Sequence, residues 1–191
     1  MASFSTRPLN PGTWPDFAAL VERHNGVWGG CWCMAFHAEG AGHEGAAQHR
    51  ADKEARVQSG DTHAALVFDG DICVGWCQFG SPAELPRIKA RRAYEAEPQT
   101  LPDWRITCFF VDKAYRKRGV AAAALAGALT EIGRLGGGTV ESFPEDAEGR
   151  SVSSSFLHNG TLGMFERAGF ERRRRLGKDR WLVTVEVLRQ T

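Results

Sequence analysis

The segment Phe109-Phe110-Val111-Asp112-Lys113-Ala114-Tyr115-Arg116-Lys117-Arg118-Gly119-Val120-Ala121 decides the fold, because an apolar run ends there at a basic turn and a helix follows. The first turn of a helix leaves backbone N–H groups without partners and carries the positive end of the helix dipole. Gly119 and the small Ala121 let an anion approach this backbone closely, and the neighbouring basic side chains add positive charge. The sequence therefore predicts a phosphate-binding loop between a strand and a helix.

The spacing Arg116-x-x-Gly119-x-Ala121 resembles the acyl-CoA pyrophosphate loop of the GNAT acetyltransferase superfamily. A second match lies further along the chain, where apolar residues at helical spacing are closed by a glycine. This stretch, Leu162–Phe170, is similar to the closing helix of the same family, which usually ends in Tyr-Glu-x-x-Gly-Phe. The resemblance covers residues 60–188 well and is weak before them.

The resemblance implies one α/β (α+β) domain over residues 1–191. Its sheet would be mixed and mostly antiparallel, with about six or seven strands, a splay between the fourth and fifth strands and about four flanking helices. The residue pattern agrees with this, because strand-like and helix-like segments alternate. The apolar run 104–111 predicts a central strand buried on both faces, and Asp69-Gly70 predicts the turn of a hairpin.

Composition limits the function classes. The chain has 191 residues, 42% of them hydrophobic, and a formal net charge of +1, which argues against a dedicated nucleic-acid binder. The basic run Arg172–Arg175 is interpreted as an exposed strand or turn. No apolar stretch approaches the length of a membrane span, and residues 1–10 lack an apolar core. We therefore expect a cytoplasmic protein without nucleic-acid or membrane partners, and the oligomeric state, monomer or homodimer, stays open.

The cysteines predict neither a disulfide framework nor a metal site. Cys31 and Cys33, with His37 and His43, form the best candidate for a metal, but Cys-x-Cys fits zinc less well than Cys-x-x-Cys. The odd count also lacks the spacing of a disulfide framework, which favours reduced and mostly buried thiols. The five residues are Cys31, Cys33, Cys73, Cys77 and Cys108.

The resemblance further implies that acetyl-CoA is the cosubstrate. Its pyrophosphate would lie on the amides of residues 116–121, and its pantetheine arm would pair with the central strand. A free strand N–H in the region 108–110 would stabilise the oxyanion as a primary amine of a small molecule or peptide attacks. The residues expected at acetyl-CoA are Phe109, Phe110, Val111, Arg116, Lys117, Arg118, Gly119, Val120, Ala121, Asn159 and Phe165.

The chain departs from the family at the group that protonates the leaving thiolate. The usual helix tyrosine is replaced by Phe165, which has no proton to give. His158 is the first candidate for the acid, with Tyr115 and solvent as alternatives. Asn159 is expected either to hydrogen-bond the pantetheine arm or to cap the helix.

Carboxylates are the candidates for the general base. Glu141 lies on the strand expected to splay from the central strand, and Asp103 precedes the central strand. Either could take the amine proton through water, and either could instead be a solvated carboxylate.

Large apolar residues in the segment before residue 40 are expected at the acceptor, where they would favour an apolar or aromatic amine. A core cluster beneath a loop is the alternative interpretation of the same residues. They are Trp28, Trp32, Met34 and Phe36. Because the helix tyrosine is missing, a second hypothesis also stays open, in which the domain binds acyl-CoA as a sensor or interaction module without catalysis.

Overall fold

A seven-stranded sheet lies at the centre of the computed structural model, which describes residues 4–41, 45–97, 100–150, 152–153 and 156–190. The strand order is β1-β2-β3-β4-β5-β7-β6, and all neighbours are antiparallel except β4 and β5. The strands are β1 Ser5–Pro8, β2 His63–Asp69, β3 Ile72–Gly80, β4 Trp104–Val111, β5 Gly138–Ser142, β6 Glu171–Arg175 and β7 Trp181–Val187.

Helices cover both faces of this sheet. The described helices are α1 Trp14–Glu22, α2 Ala46–Ser59, α3 Arg91–Glu95, α4 Val120–Arg134 and α5 Leu162–Arg167, with short 3₁₀ turns at Glu39–Ala41, Lys113–Tyr115 and Phe156–Asn159. Buried residues of α1 and α2 pack on one face, called the α1 face here, and those of α4 and α5 pack on the other, called the α4 face.

Strand β4 contributes side chains to both cores, as the apolar run predicts. Phe110 and Cys108 belong to the core on the α1 face, and Phe109 and Ile106 belong to the core on the α4 face. A strand alternates its side chains between the two faces, so a strand that is covered on both sides is apolar throughout.

The predicted fold class is confirmed, including the mixed sheet and its splay between β4 and β5. Five α-helices are described where about four were expected. The hairpin turn lies at Gly70-Asp71 and not at Asp69-Gly70, because Asp69 still pairs with Ile72. In the described part of the chain, every helix falls short of the length and apolarity that a bilayer span requires.

Candidate active site

The sheet opens between β4 and β5. Strand β5 ends at Ser142, and the chain after it pairs instead through Glu145 with Thr161 and Arg180. Among the described residues, β4 therefore has no partner strand on this side after Ile106. The β4–β5 pairs are Trp104 with Val140, Arg105 with Glu141 and Ile106 with Ser142.

Backbone groups of Phe109 and Val111 point into this opening. The Asp112 N–H donates to the Val74 carbonyl over 2.9 Å, so Asp112 and Phe110 form the hydrogen-bonded pairs with β3. The residues between and beside them direct their N–H groups away from β3. An extended chain in the opening can thus pair with this edge as an added strand does.

A β-bulge at Thr107 lies where the opening begins. Gln78 faces Cys108 and Phe79 faces Ile106, which leaves Thr107 without a partner on β3. The Thr107 side chain is fully buried, and its hydroxyl oxygen has no hydrogen-bond partner. Buried hydroxyl groups are nearly always hydrogen-bonded, so this orphaned group indicates that a polar ligand or water belongs beside it. Thr107 was not among the residues predicted from the sequence.

Asn159 fastens the bulge to the segment before α5. Its Nδ2 donates to the Thr107 carbonyl over 2.6 Å, and its Oδ1 accepts from Arg180 over 3.0 Å. Arg180 is itself paired with Glu145 at 3.3 Å. Asn159 is fully buried and does not cap α5, which begins at Leu162. The network fixes the carbonyl of the bulge and the entrance of the opening.

The start of α4 presents free amides next to β4. Ala123 bonds its N–H to the Gly119 carbonyl over 3.0 Å, so the amides before it precede the first helical carbonyl. Gly119 has φ +89°, and no heavy atom lies within 4 Å of the point where its Cβ would be. Arg116 and Arg118 are exposed beside it. The predicted anion-binding loop thus opens to solvent.

Gly75 lets the start of α4 pack closely on the neighbouring strands β3 and β4. A Cβ at Gly75 would lie 2.7 Å from Cγ1 of Val120 and 2.8 Å from the carbonyl oxygen of Phe110. The first residue of α4 therefore packs directly on β3 and β4.

These groups fit acetyl-CoA. Free amides with nearby cations suit a pyrophosphate, and unpaired strand N–H groups suit an extended arm that contains amides. The orphaned Thr107 hydroxyl, at the end of the opening away from α4, suits a further polar group.

Aromatic rings line the α1 face of the opening. The Trp28 ring meets Phe110 edge-on at 5.9 Å and His158 at 5.8 Å, and the Phe36 ring lies 6.2 Å from His158. Trp28 is 43% exposed. The predicted acid and two of the predicted acceptor residues, Trp28 and Phe36, are thus brought together beside β4.

Trp32 and Met34 lie elsewhere. Trp32 packs against Trp14 at 5.9 Å and Phe17 at 6.2 Å, and Met34 is fully buried in the same core. This placement corrects the expectation that these two residues line the acceptor site, and the alternative of a core cluster describes them.

Glu141 is enclosed in a buried ion pair. Its Oε1 accepts from Nε of Arg105 over 2.6 Å, and the Tyr94 hydroxyl lies 3.1 and 3.0 Å from its two oxygens. Burial raises the pKa of Glu141 although the Arg105 guanidinium opposes the shift. Because both oxygens are engaged, the expected role of Glu141 as a base is corrected to a structural one. Asp103 is also engaged, since it accepts the Thr139 N–H over 2.8 Å.

Phe165 packs in the core of the α4 face. It is fully buried, with its ring edge-on to Phe109 at 5.9 Å and to Phe170 at 4.8 Å. Tyr115 lies in the turn before α4 and stacks under the Arg118 guanidinium at 4.7 Å. It therefore belongs to the anion loop.

A second imidazole, missed from the sequence, lies on the α1 face. The His24 ring contacts Phe110 at 5.0 Å, and its Nε2 lies 3.1 Å from Oδ2 of Asp112. Burial opposes ionisation of Asp112, but the Ala114 amide, His24 and Arg23 outweigh it and hold the pKa of Asp112 below its usual value. His24 lies in the turn after α1, and nothing in the local sequence pattern links it to the end of β4.

The described residues form no cluster of three groups that could hold a metal ion. His37 instead bonds through Nδ1 to the Glu84 carbonyl at 3.1 Å, and His43 lies outside the described residues. All five cysteines are free thiols, four of them buried.

Comparisons with solved structures show the GNAT fold. An N-acetyltransferase from Staphylococcus aureus Mu50 aligns with a TM-score of 0.56 and 11% identity, over 97% of this chain and 99% of that one. The protein yncA of Salmonella typhimurium, a proposed acetyltransferase with its cofactor acetyl-CoA, aligns with a TM-score of 0.55 and 15% identity, over 96% and 94%. The ribosomal-protein-S18-alanine N-acetyltransferase from Escherichia coli gives 0.53 and 10%, over 99% and 97%. No family model and no curated protein sequence matches the chain.

Proposed function

We propose that this chain, which has the GNAT fold, is an N-acetyltransferase that moves the acetyl group of acetyl-CoA directly to a primary amine of a small molecule or peptide. The observation that carries the proposal is the open edge of β4 beside the free amides of α4. This edge offers a thioester an oriented N–H donor, and the loop offers a pyrophosphate its charge complement. A cytoplasmic location and independence of metals belong to the same proposal.

In the proposed reaction the chain acts mainly by positioning. Residues 116–121 hold the pyrophosphate, and the N–H of Val111 pairs with the arm. The N–H of Phe109 stabilises the oxyanion while the amine nitrogen bonds to the carbonyl carbon and the C–S bond breaks. The amine approaches along the α1 face, between Trp28 and Phe36.

His158 is the proposed proton donor to the departing thiolate. Its ring lies among the aromatic residues of the α1 face, and the next residue, Asn159, is fastened to the bulge. The proton that the amine loses passes to solvent or to an imidazole of this face, and the thiolate gains one, so the reaction has no net proton demand.

One observation favours a second function, acyl-CoA binding without transfer. Phe165 occupies the position of the usual hydroxyl donor and is sealed in the core against Phe109. A sensor module would bind CoA as the enzyme does and would release none of it from acetyl-CoA in the presence of amines.

Calorimetry with CoA and a thiol-release assay with acetyl-CoA and an amine panel test the proposal. Gly119→Glu should abolish CoA binding, because it puts a carboxylate where the pyrophosphate lies. Gly177→Glu is the matched control, since Gly177 also has positive φ and open space around its Cβ but lies in the turn between β6 and β7.

The outcomes separate the hypotheses. Unchanged CoA affinity in the Gly119→Glu variant would refute the site. If the protein binds CoA but releases no CoA thiol from acetyl-CoA with any amine or peptide, the sensor hypothesis is favoured.

A further inference from the structure

Arg87 carries a buried guanidinium nitrogen that has no partner. Its Nη1 is shielded from solvent, and no described residue accepts a hydrogen bond from it. The side chain as a whole is half-buried, but a polar atom that is itself shielded from water is nearly always hydrogen-bonded. An orphaned cationic nitrogen of this kind indicates that an anionic ligand completes the site.

The backbone of Arg87 lies at the aromatic wall of the proposed acceptor site. Its N–H donates to the Phe36 carbonyl over 3.2 Å. The Phe36 ring in turn lies 6.2 Å from the His158 ring, beside the opening of the sheet. Arg87 belongs to the long connection between β3 and β4, and Leu85 of this connection packs in the core of the α1 face.

Carboxylates near this segment are already engaged. Glu84 accepts the His63 N–H over 3.0 Å and faces Nδ1 of the same residue at 2.7 Å. Glu141 is paired with Arg105 at 2.6 Å. Neither forms an ion pair with Arg87, so Nη1 has no carboxylate partner among the described residues.

We propose that Arg87 binds a carboxylate of the acceptor, which makes the substrate an amine that also carries a carboxylate, as a free amino acid does. The inference rests on the proposed acetyl transfer. A single guanidinium with a planar fork matches a monoanionic carboxylate, whereas the pyrophosphate loop gathers three cations for a more highly charged group. The apolar part of the acceptor would lie on Trp28 and Phe36, with its amine directed at β4.

Steady-state kinetics with matched amines test the assignment. L-Phenylalanine is compared with phenethylamine, and L-leucine with isoamylamine, because each pair differs by the carboxylate. The acid of a pair should be the better substrate by about 10-fold or more in kcat/KM, and Arg87→Gln should remove this difference by raising KM. Arg92→Gln is the control, because Arg92 is an exposed arginine on α3 and the change alters the net charge equally.

Calorimetry makes the test independent of turnover. N-acetyl-L-phenylalanine and N-acetyl-L-leucine, each with its carboxamide, are titrated into the CoA-saturated wild-type, Arg87→Gln and Arg92→Gln proteins. We expect an acid to bind the wild type and the Arg92 variant about 10-fold or more tightly than the Arg87 variant, with no such loss for its carboxamide. Equal affinity of both acids for the wild-type and Arg87→Gln proteins overturns the inference, as does a preference for the carboxamides. Failure of CoA itself to bind refutes the proposed function instead.

Discussion

Replacing Glu141 by leucine should destabilise the protein strongly, because it leaves the Arg105 guanidinium buried without its counter-ion. The side chains of Arg105 and Glu141 are 5% and 3% exposed, and their atoms approach to 2.6 Å. Removal of one partner from a buried pair of this kind costs about 3–5 kcal/mol of unfolding free energy. The Tyr94 hydroxyl bonds to both Glu141 oxygens and accepts from Nη2 of Arg105 over 3.2 Å, so Tyr94→Phe is placed in the parent and in every variant, and its own cost cancels in the comparison.

Replacing both partners provides the control. Arg105→Met with Glu141→Leu removes both charges and keeps similar volumes, so its unfolding free energy should lie within about 2 kcal/mol of the Tyr94→Phe parent. Guanidinium chloride denaturation of the parent, the two single variants and the double variant gives the coupling energy.

The same variants decide whether Glu141 takes part in chemistry. If the role of Glu141 is structural, the double variant should keep an acetyl-transfer rate within a few fold of that of the parent. A loss below about 1 kcal/mol in the Glu141→Leu variant would refute the ion-pair reasoning. A stable double variant with a rate about 100-fold lower would restore Glu141 as the base.

Three further perturbations follow from the site and its surroundings. Burial lowers the pKa of His37 to about 2, so the unfolded chain binds this proton more readily than the folded chain does. Below pH 6.5, His37 should therefore lower the free energy of unfolding by about 1.4 kcal/mol per pH unit. The slope of unfolding free energy against pH should be shallower for His37→Gln, and equal slopes would contradict the assignment. Asn159→Ala leaves the Thr107 carbonyl unpaired, so it should lower the free energy of unfolding by about 1–3 kcal/mol, measured by denaturation. It should also weaken CoA binding, measured by calorimetry, and an unchanged affinity would show that the bond between Asn159 and Thr107 is not needed for binding. His158→Ala should lower kcat about 100-fold with little change in CoA affinity, and a wild-type rate would remove it from the mechanism.

The central strand, the turn after it and the following helix could be predicted because their signals are local. The apolar run 104–111 and the turn before Gly119 carry strand, turn and helix preferences within a few residues, and the structure has β4 at the same bounds. The resemblance added the mixed, mostly antiparallel sheet and its splay.

Which side chains reach the proposed acceptor site on the α1 face could not be predicted in the same way. Trp28 and Trp32 belong to one apolar segment, and packing of Trp32 against α1 decides which of them reaches the opening. The partner of Glu141, Arg105, lies 36 residues away in the sequence. Pairing of distant charges depends on the completed sheet, and local periodicity does not contain it.

The short contact between β4 and β5 also divides the sheet mechanically. Three residue pairs join β1–β4 to the unit formed by β5, β7 and β6. The boundary between β4 and β5 is therefore where the sheet has the fewest paired residues. We expect hydrogen exchange to detect separation of the two units below the free energy of global unfolding. An extended molecule bound along β4 would add hydrogen bonds at the boundary between β4 and β5. Its binding free energy would then make the two units unfold together as one cooperative unit.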